Sequence, residues 1–179
     1  MNNAKIKATI ENLKENFGMT MERLAGEEIE AGPISTKELV ALHTKLVTIY
    51  GGSLAVKNEE LLNEISKAPF TRAFGEEDYK GVFQKAAKYM LDFTRNQVFD
   101  DGNNMMGIAA ASTYLLSNGI RITVPDEMMY VLSQNIQSGE ILSVDEISSI
   151  FEEHYEFLMD DLIDLDEEAD LDADLSFSY

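Results

Sequence analysis

Residues 95–107, Arg95-Asn96-Gln97-Val98-Phe99-Asp100-Asp101-Gly102-Asn103-Asn104-Met105-Met106-Gly107, are the stretch whose types and spacing could do chemistry. Asp101-Gly102-Asn103 suits a turn whose successive backbone N–H groups point toward the start of a following helix, a setting that attracts phosphate. The same tripeptide also reads as a plain helix-helix turn with an Asx cap, and taken alone that reading has the stronger claim. Other chemistries lack material. The chain has no cysteine, so thiolate zinc sites, disulfides and cysteine nucleophiles are excluded. Of its two histidines, His43 has no histidine or carboxylate four residues on and reads as a structural residue. His154, among Glu152, Glu153 and Glu156, reads as part of a solvated face.

The elements that must position this stretch are helical. The chain has 179 residues, 45% of them hydrophobic, enough for one domain with a core. Ile6, Ile10, Leu13 and Phe17 form one apolar stripe, and Leu39, Leu42, Leu46 and Ile49 a second, opened by Ser35-Thr36 and closed by Gly51-Gly52. Val82, Ala86, Ala87, Met90 and Phe93 make a third. A fourth helix is predicted from about Met106 to Ser117, with Gly107 and Ala109-Ala110-Ala111 allowing close helix contacts and Asn118-Gly119 ending it. Ser143-Val144-Asp145-Glu146 reads as a capping box for a last helix through Ile147, Ile150, Phe151, Tyr155, Leu158 and Leu162, fraying after about Leu165. Extended segments are limited to Pro69–Phe74 and Arg121–Val124. Met106, Met128 and Met129 read as core, and Met105 as a residue facing the candidate pocket. The class is mostly α.

Charge is the outlier. Asp and Glu number 33 against 14 Lys and Arg, a net of -19. Residues 152–179 hold twelve of those carboxylates and no base, which leaves the upstream body only mildly acidic. Direct nucleic-acid binding is therefore disfavoured. A run of this kind is commonly a solvating extension. The sharper reading is a partner-binding segment, carried by Asp160, Asp161, Asp164, Asp166, Glu167, Glu168, Asp170, Asp172 and Asp174, that mimics nucleic-acid phosphate or clamps a basic protein. Interspersed Leu162, Leu165, Leu171 and Leu175, with Phe177 and Tyr179, give it apolar anchors. No apolar run is long enough to span a bilayer and the N-terminus has no secretory signal pattern, so a soluble, cytoplasmic protein without membrane contact is expected.

In order and spacing, these residues resemble the Fic/Doc family, and its Doc branch in particular. The family motif His-x-Phe-x-Asp/Glu-Gly-Asn-Lys/Gly-Arg is matched by Gln97-Val98-Phe99-Asp100-Asp101-Gly102-Asn103-Asn104-Met105. Around it, Leu42-His43, Tyr50-Gly51-Gly52, Leu61-Leu62, Pro69, Phe83-Gln84-Lys85-Ala86-Ala87, Ala109-Ala110-Ala111 and Asn118-Gly119 resemble the branch's flanking segments, over about residues 34–150. The resemblance implies a helical bundle with a short target-docking flap, followed here by an acidic C-terminal helix or tail. The expected organisation is an N-terminal helical extension over 1–32, a Fic/Doc-like domain over 33–151 and the acidic segment over 152–179.

In active members such a domain transfers AMP or a phosphoryl group from a nucleotide to a hydroxyl of a protein. By the resemblance, Gln97 stands at the general base, Asp101 at the metal-binding carboxylate, Gly102 and Asn103 at the phosphate cradle and Phe99 at a buried anchor. Asn104 stands at the motif lysine and Met105 at the phosphate-gripping arginine. An amide accepts no proton at neutral pH, so Gln97 cannot supply general-base catalysis, worth roughly 10²- to 10⁴-fold in rate. Met105 and Asn104 offer no charge to a phosphate, and Asp100 beside Asp101 repels one. Residues 1–32 lack the family's inhibitory pattern Ser/Thr-x-x-x-Glu-Gly/Asn as well, since Leu13 follows Thr9 and Leu24 follows Thr20 at that spacing. The expectation is a catalytically inactive Fic/Doc-like protein without a cofactor, working through a protein partner with a basic surface, as an inhibitor in a phage, mobile-element or bacterial defence system. The alternative is a transferase toxin of the family, using ATP with Mg, with altered catalytic residues.

Overall fold

The computed structural model describes residues 30–141 and 143–158. The N-terminal stripe from Ile6 to Phe17 and the acidic residues from Asp160 to Asp174 lie outside the described residues. The described chain runs α1 (Thr36–Tyr50), α2 (Glu59–Lys67), a 3-10 turn (Ala68–Phe70), β1 (Arg72–Ala73), β2 (Glu76–Glu77), α3 (Gly81–Arg95), α4 (Asn103–Ser117), β3 (Ile120–Ile122), α5 (Asp126–Ser138), α6 (Val144–Glu153) and β4 (Tyr155–Phe157). The mostly helical class and the Fic/Doc-like bundle are borne out.

Local chemistry explains where the helices begin and end. Ser35 caps α1 and Glu38 returns the bond to the Ser35 backbone, a full capping box, while the Gly51 N–H closes the far end on the Val47 carbonyl. α4 is apolar on every side and is buried from Met105 to Leu115, as the central helix of a bundle must be. It packs most extensively on α3. Gly107 permits that approach: a Cβ there would stand 2.8 Å from the Met90 carbonyl oxygen and collide with Thr94 Oγ1.

Four departures from the sequence reading have physical causes. α2 and α5 were not anticipated; α2 is short, with Asn58 as its cap, and α5 begins directly after Pro125 and buries Met129, Leu132 and Ile136 on one face. Met128 falls on the other face of α5 and is exposed rather than core. The last helix stops at Glu153, well short of Leu162. Glu152 and Glu153 crowd the negative end of its dipole, and the edge of β3 offers an alternative. Tyr155, Glu156 and Phe157 pair antiparallel with Ile122, Arg121 and Ile120, and the Arg121 guanidinium meets Glu156 at 3.0 Å. Ser143 does cap α6, but onto the Asp145 N–H, so the box with Glu146 does not form.

A buried cation ties the small hairpin β1–β2 to the bundle. Lys85, 1% exposed on α3, lies 2.8 Å from Glu30 and 2.9 Å from Glu77 of β2. Glu30 also accepts from the Tyr114 hydroxyl at 2.6 Å. Burial alone would depress the Lys85 ammonium, but its bonds to Glu30 and Glu77 outweigh that and hold its pKa above the ordinary lysine value. Next to Glu30, the Ala31 N–H donates to Asn118 Oδ1 at 2.8 Å, and the Leu158 N–H donates to the Gly119 carbonyl at 2.9 Å.

Candidate functional site

The loop between α3 and α4 takes its shape from one amide. Asn103 Oδ1 accepts from the backbone N–H groups of Val98 and Phe99, at 3.1 and 3.0 Å, and its Nδ2 donates to the Phe99 carbonyl at 2.8 Å. Phe99 is fully buried and its ring lies on the His43 ring of α1, centroids 3.8 Å apart and nearly parallel. His43 Nε2 is 2.9 Å from the Asp101 carbonyl oxygen. A carbonyl only accepts, so that nitrogen carries the proton. Gly102 follows in the left-handed region, φ +80°, where a glycine costs nothing and starts α4.

The second wall is the segment leaving Gly51-Gly52. The N–H groups of Lys57 and Asn58 both donate to the Val98 carbonyl, the Asp100 N–H donates to the Ala55 carbonyl, and Val56 bridges Phe99. Ser53 serves both acids: its N–H donates to Asp101 Oδ2 at 3.1 Å and its hydroxyl to Asp100 Oδ2 at 3.2 Å. A groove between α1 and α2, lined in part by Val40, Val56 and Leu62, lies beside this segment and includes none of the motif positions.

The structure brings together all the motif positions that the sequence singled out, and changes what several can do. Exposed Gln97 accepts from the Lys57 ammonium at 2.9 Å. Asn104 donates to Gln137 of α5 at 2.8 Å. Met105 is not an open contact residue; at 8% exposure it is core. Asn103 keeps its place beside the turn, but its side chain is committed to the loop backbone. Although Asn104 and Met105 bring no charge, Lys57 sets a cation against Gln97, the position that the resemblance gives to the motif histidine. His43 is structural, as expected. His154 is a half-buried cap at the end of α6, its Nδ1 3.0 Å from the Ile150 carbonyl, rather than a freely solvated residue.

These groups offer a nucleotide triphosphate little to grip. Asp101 accepts from the Ser53 N–H through Oδ2, the Asn103 amide gives its oxygen and one N–H to the loop backbone, and Met105 offers no donor. Among the described residues no group of three or more His, Asp or Glu side chains could hold a metal ion. What the arrangement does offer is a rigid polar surface. Lys57, Ser53 and Gln137 were missed in the sequence because each reaches its partner across 33 or more residues of chain. The Tyr50-Gly51-Gly52 exit was the nearest signal. Among the described residues, no helix is long and apolar enough to cross a membrane.

The model of the Fic/DOC family matches residues 33–115. The Toxin Doc of Mycolicibacterium smegmatis is 33% identical over 73 residues, which cover 41% of this chain and 56% of that protein. The Protein kinase doc of Escherichia phage P1 is 28% identical over 108 residues, covering 60% of this chain and 84% of the phage protein. The chain thus spans little more than half the length of the mycobacterial relative. The Fic/Doc resemblance carried by the motif is shown, and its relatives are Doc toxins.

Proposed function

We propose that this protein is a Fic/Doc-like scaffold that has given up nucleotide transfer and acts by binding another protein, one with a basic surface. The observation that carries this reading is the fate of the motif groups. Gln97 is held by Lys57, Asn103 by the loop backbone and Asn104 by Gln137, while Met105 is in the core. Neither a base toward a hydroxyl nor a grip on a phosphate is left among them. Residues 152–179 supply the charge for the partner, through Asp160, Asp161, Asp164, Asp166, Glu167, Glu168, Asp170, Asp172 and Asp174. The partner class that suits a dense carboxylate run is a nucleic-acid-handling protein of a phage, mobile-element or bacterial defence system, whose basic groove the run would occupy in place of phosphate. Association should be fast and should weaken steeply with salt.

One observation favours a second reading, in which the chain is a toxin that uses ATP with Mg. The Lys57 ammonium restores one positive charge to the loop. Incubation with labelled ATP, magnesium and lysate proteins separates the two: the scaffold reading expects no labelled target, and labelling abolished by Asp101→Ala would establish the transferase. Recovery of a partner at low salt by the full chain, and its loss by a chain ended at Leu158, tests the acidic segment. Ending at Leu158 keeps β4, which an earlier cut would remove.

A further inference from the structure

β3 and β4 make a two-stranded sheet whose outer edge is bare among the described residues. Its hydrogen bonds run through alternate residues: the His154 carbonyl accepts from the Thr123 N–H, the Leu158 N–H donates to the Gly119 carbonyl, and Glu156 lies opposite Arg121 between them. The period of an antiparallel ladder then turns the N–H and C=O groups of Tyr155 and Phe157 away from β3, where no described strand meets them. Two strands of three residues each are marginal in water, and a third would support them.

The two faces of this edge differ in chemistry. Tyr155 and Phe157 point to one face and are exposed, 39% and 48%. Their rings meet edge to face with centroids 5.3 Å apart, and Tyr155 also lies 5.0 Å from the half-buried Phe83 of α3. Glu156 points to the other face, bonded to the Arg121 guanidinium yet 43% exposed. Past Leu158 the acidic run opens at Asp160 and carries no base. Apolar, acidic, apolar along β4 is matched residue by residue by an added strand that alternates apolar and basic side chains.

We infer that the outer edge of β4 takes up an extended segment of a protein partner, its apolar residues lying on Tyr155 and Phe157 and its basic ones on Glu156 and the acidic run beyond. The inference rests on the binding reading above and gives it a place and a mode. Charge selects the occupant. A second copy of this chain would pair β4 with β4 and set two runs of carboxylates side by side, on molecules of net charge -19 each.

The test uses the full chain and two short synthetic peptides of one composition, the first alternating valine and lysine, the second with its valines and lysines grouped apart. At low salt the alternating peptide should slow solvent exchange of the Tyr155 and Phe157 N–H groups by about tenfold or more, and the grouped peptide should leave them fast. Phe157→Pro, which an edge strand tolerates but which removes one outward donor, should weaken binding of the alternating peptide by about tenfold. Phe74→Ser, at an exposed aromatic elsewhere, should weaken it by less than about threefold. Equal binding of both peptides without protection at Tyr155 and Phe157 would overturn the edge inference and leave the binding reading standing. Protection present before peptide is added would give the edge to the chain's own residues, or to a second copy where it grows with concentration, and would overturn the inference too. Binding of neither peptide would overturn both readings.

Discussion

The Lys57 ammonium donates to the amide oxygen of Gln97 at 2.9 Å, joining the segment after α1 to the loop before α4 across 40 residues of chain. The contact places a cation against the position where an active relative of this fold would need a base. An imidazole there would share its surroundings with a fixed positive charge. Gln97→His is therefore expected to titrate below the ordinary histidine value of about 6.5, with Lys57→Met returning it toward that value. Proton NMR titration of the new ring measures it, and an upward shift in Gln97→His would contradict the placement of Lys57. Labelled-ATP transfer should stay absent in both variants, because the phosphate grip is still missing.

Restoring that grip should be expensive. Met105 belongs to the core at 8% exposure, so Met105→Arg must either bury a guanidinium without a partner or open the start of α4. A loss of about 2–4 kcal/mol is expected in urea unfolding. A change under about 0.5 kcal/mol would mean that the side chain can turn outward freely.

Asn103→Ala tests whether the loop depends on one side chain. It removes two acceptor contacts and one donor contact at once and leaves the N–H groups of Val98 and Phe99 without that acceptor. About 2–4 kcal/mol of stability should go with it. The His43 ring, stacked on Phe99, should report the loosening through its chemical shifts. Asn103→Asp keeps the acceptor oxygen but sets a second carboxylate oxygen against the Phe99 carbonyl and adds a charge beside Asp100 and Asp101, so it should recover little of the loss.

The hairpin clamp has a defined pH window. Hydrogen bonds from Lys85 and Arg72 hold the Glu77 carboxyl below the ordinary glutamate value. A carboxyl depressed on folding contributes stability that is present above its unfolded value and lost as pH falls through the folded one. Lys85 lies above 10.5, so its share is present below that value and lost as pH rises through the folded one. Amide exchange in residues 72–77 should therefore quicken below about pH 4.5 and again above about pH 10.5. Glu77→Gln should remove the acid limb. Asp92 acts in the opposite sense, since burial raises its carboxyl despite Lys88 at 2.7 Å, and reading the hairpin amides keeps the two apart.

The helical class and the place of the motif were legible in the sequence because both rest on local signals. Leu39, Leu42 and Leu46 repeat at helical spacing and are buried, and Gly51 and Asn118 stop their helices where turn chemistry says they should. Ile49 continues the same pattern yet is 45% exposed, because the stripe runs past the edge of what α1 covers. β4 was read as helix for a related reason. Tyr155 and Leu158 keep the period of Ile147 and Phe151, and only the distant edge of β3 decides otherwise. The site divided along the same line. Phe99, Gly102 and the absence of a base could be read from the motif, whereas Lys57, Ser53 and Gln137 act through contacts that no local pattern encodes.

The corner at the end of α4 has a topological consequence. Ala31 is bonded to Asn118 and Leu158 to its neighbour Gly119, so the two ends of the described fold enter and leave at adjacent residues of one turn. Such a chain is suited to circular permutation: a short linker from residue 158 to residue 30, with new termini cut in an exposed stretch such as Ser138–Glu140, leaves every helix its neighbours. Whatever is fused before residue 30 and after residue 158 is delivered to the same side of the molecule, which makes this corner the natural attachment point for a paired reporter.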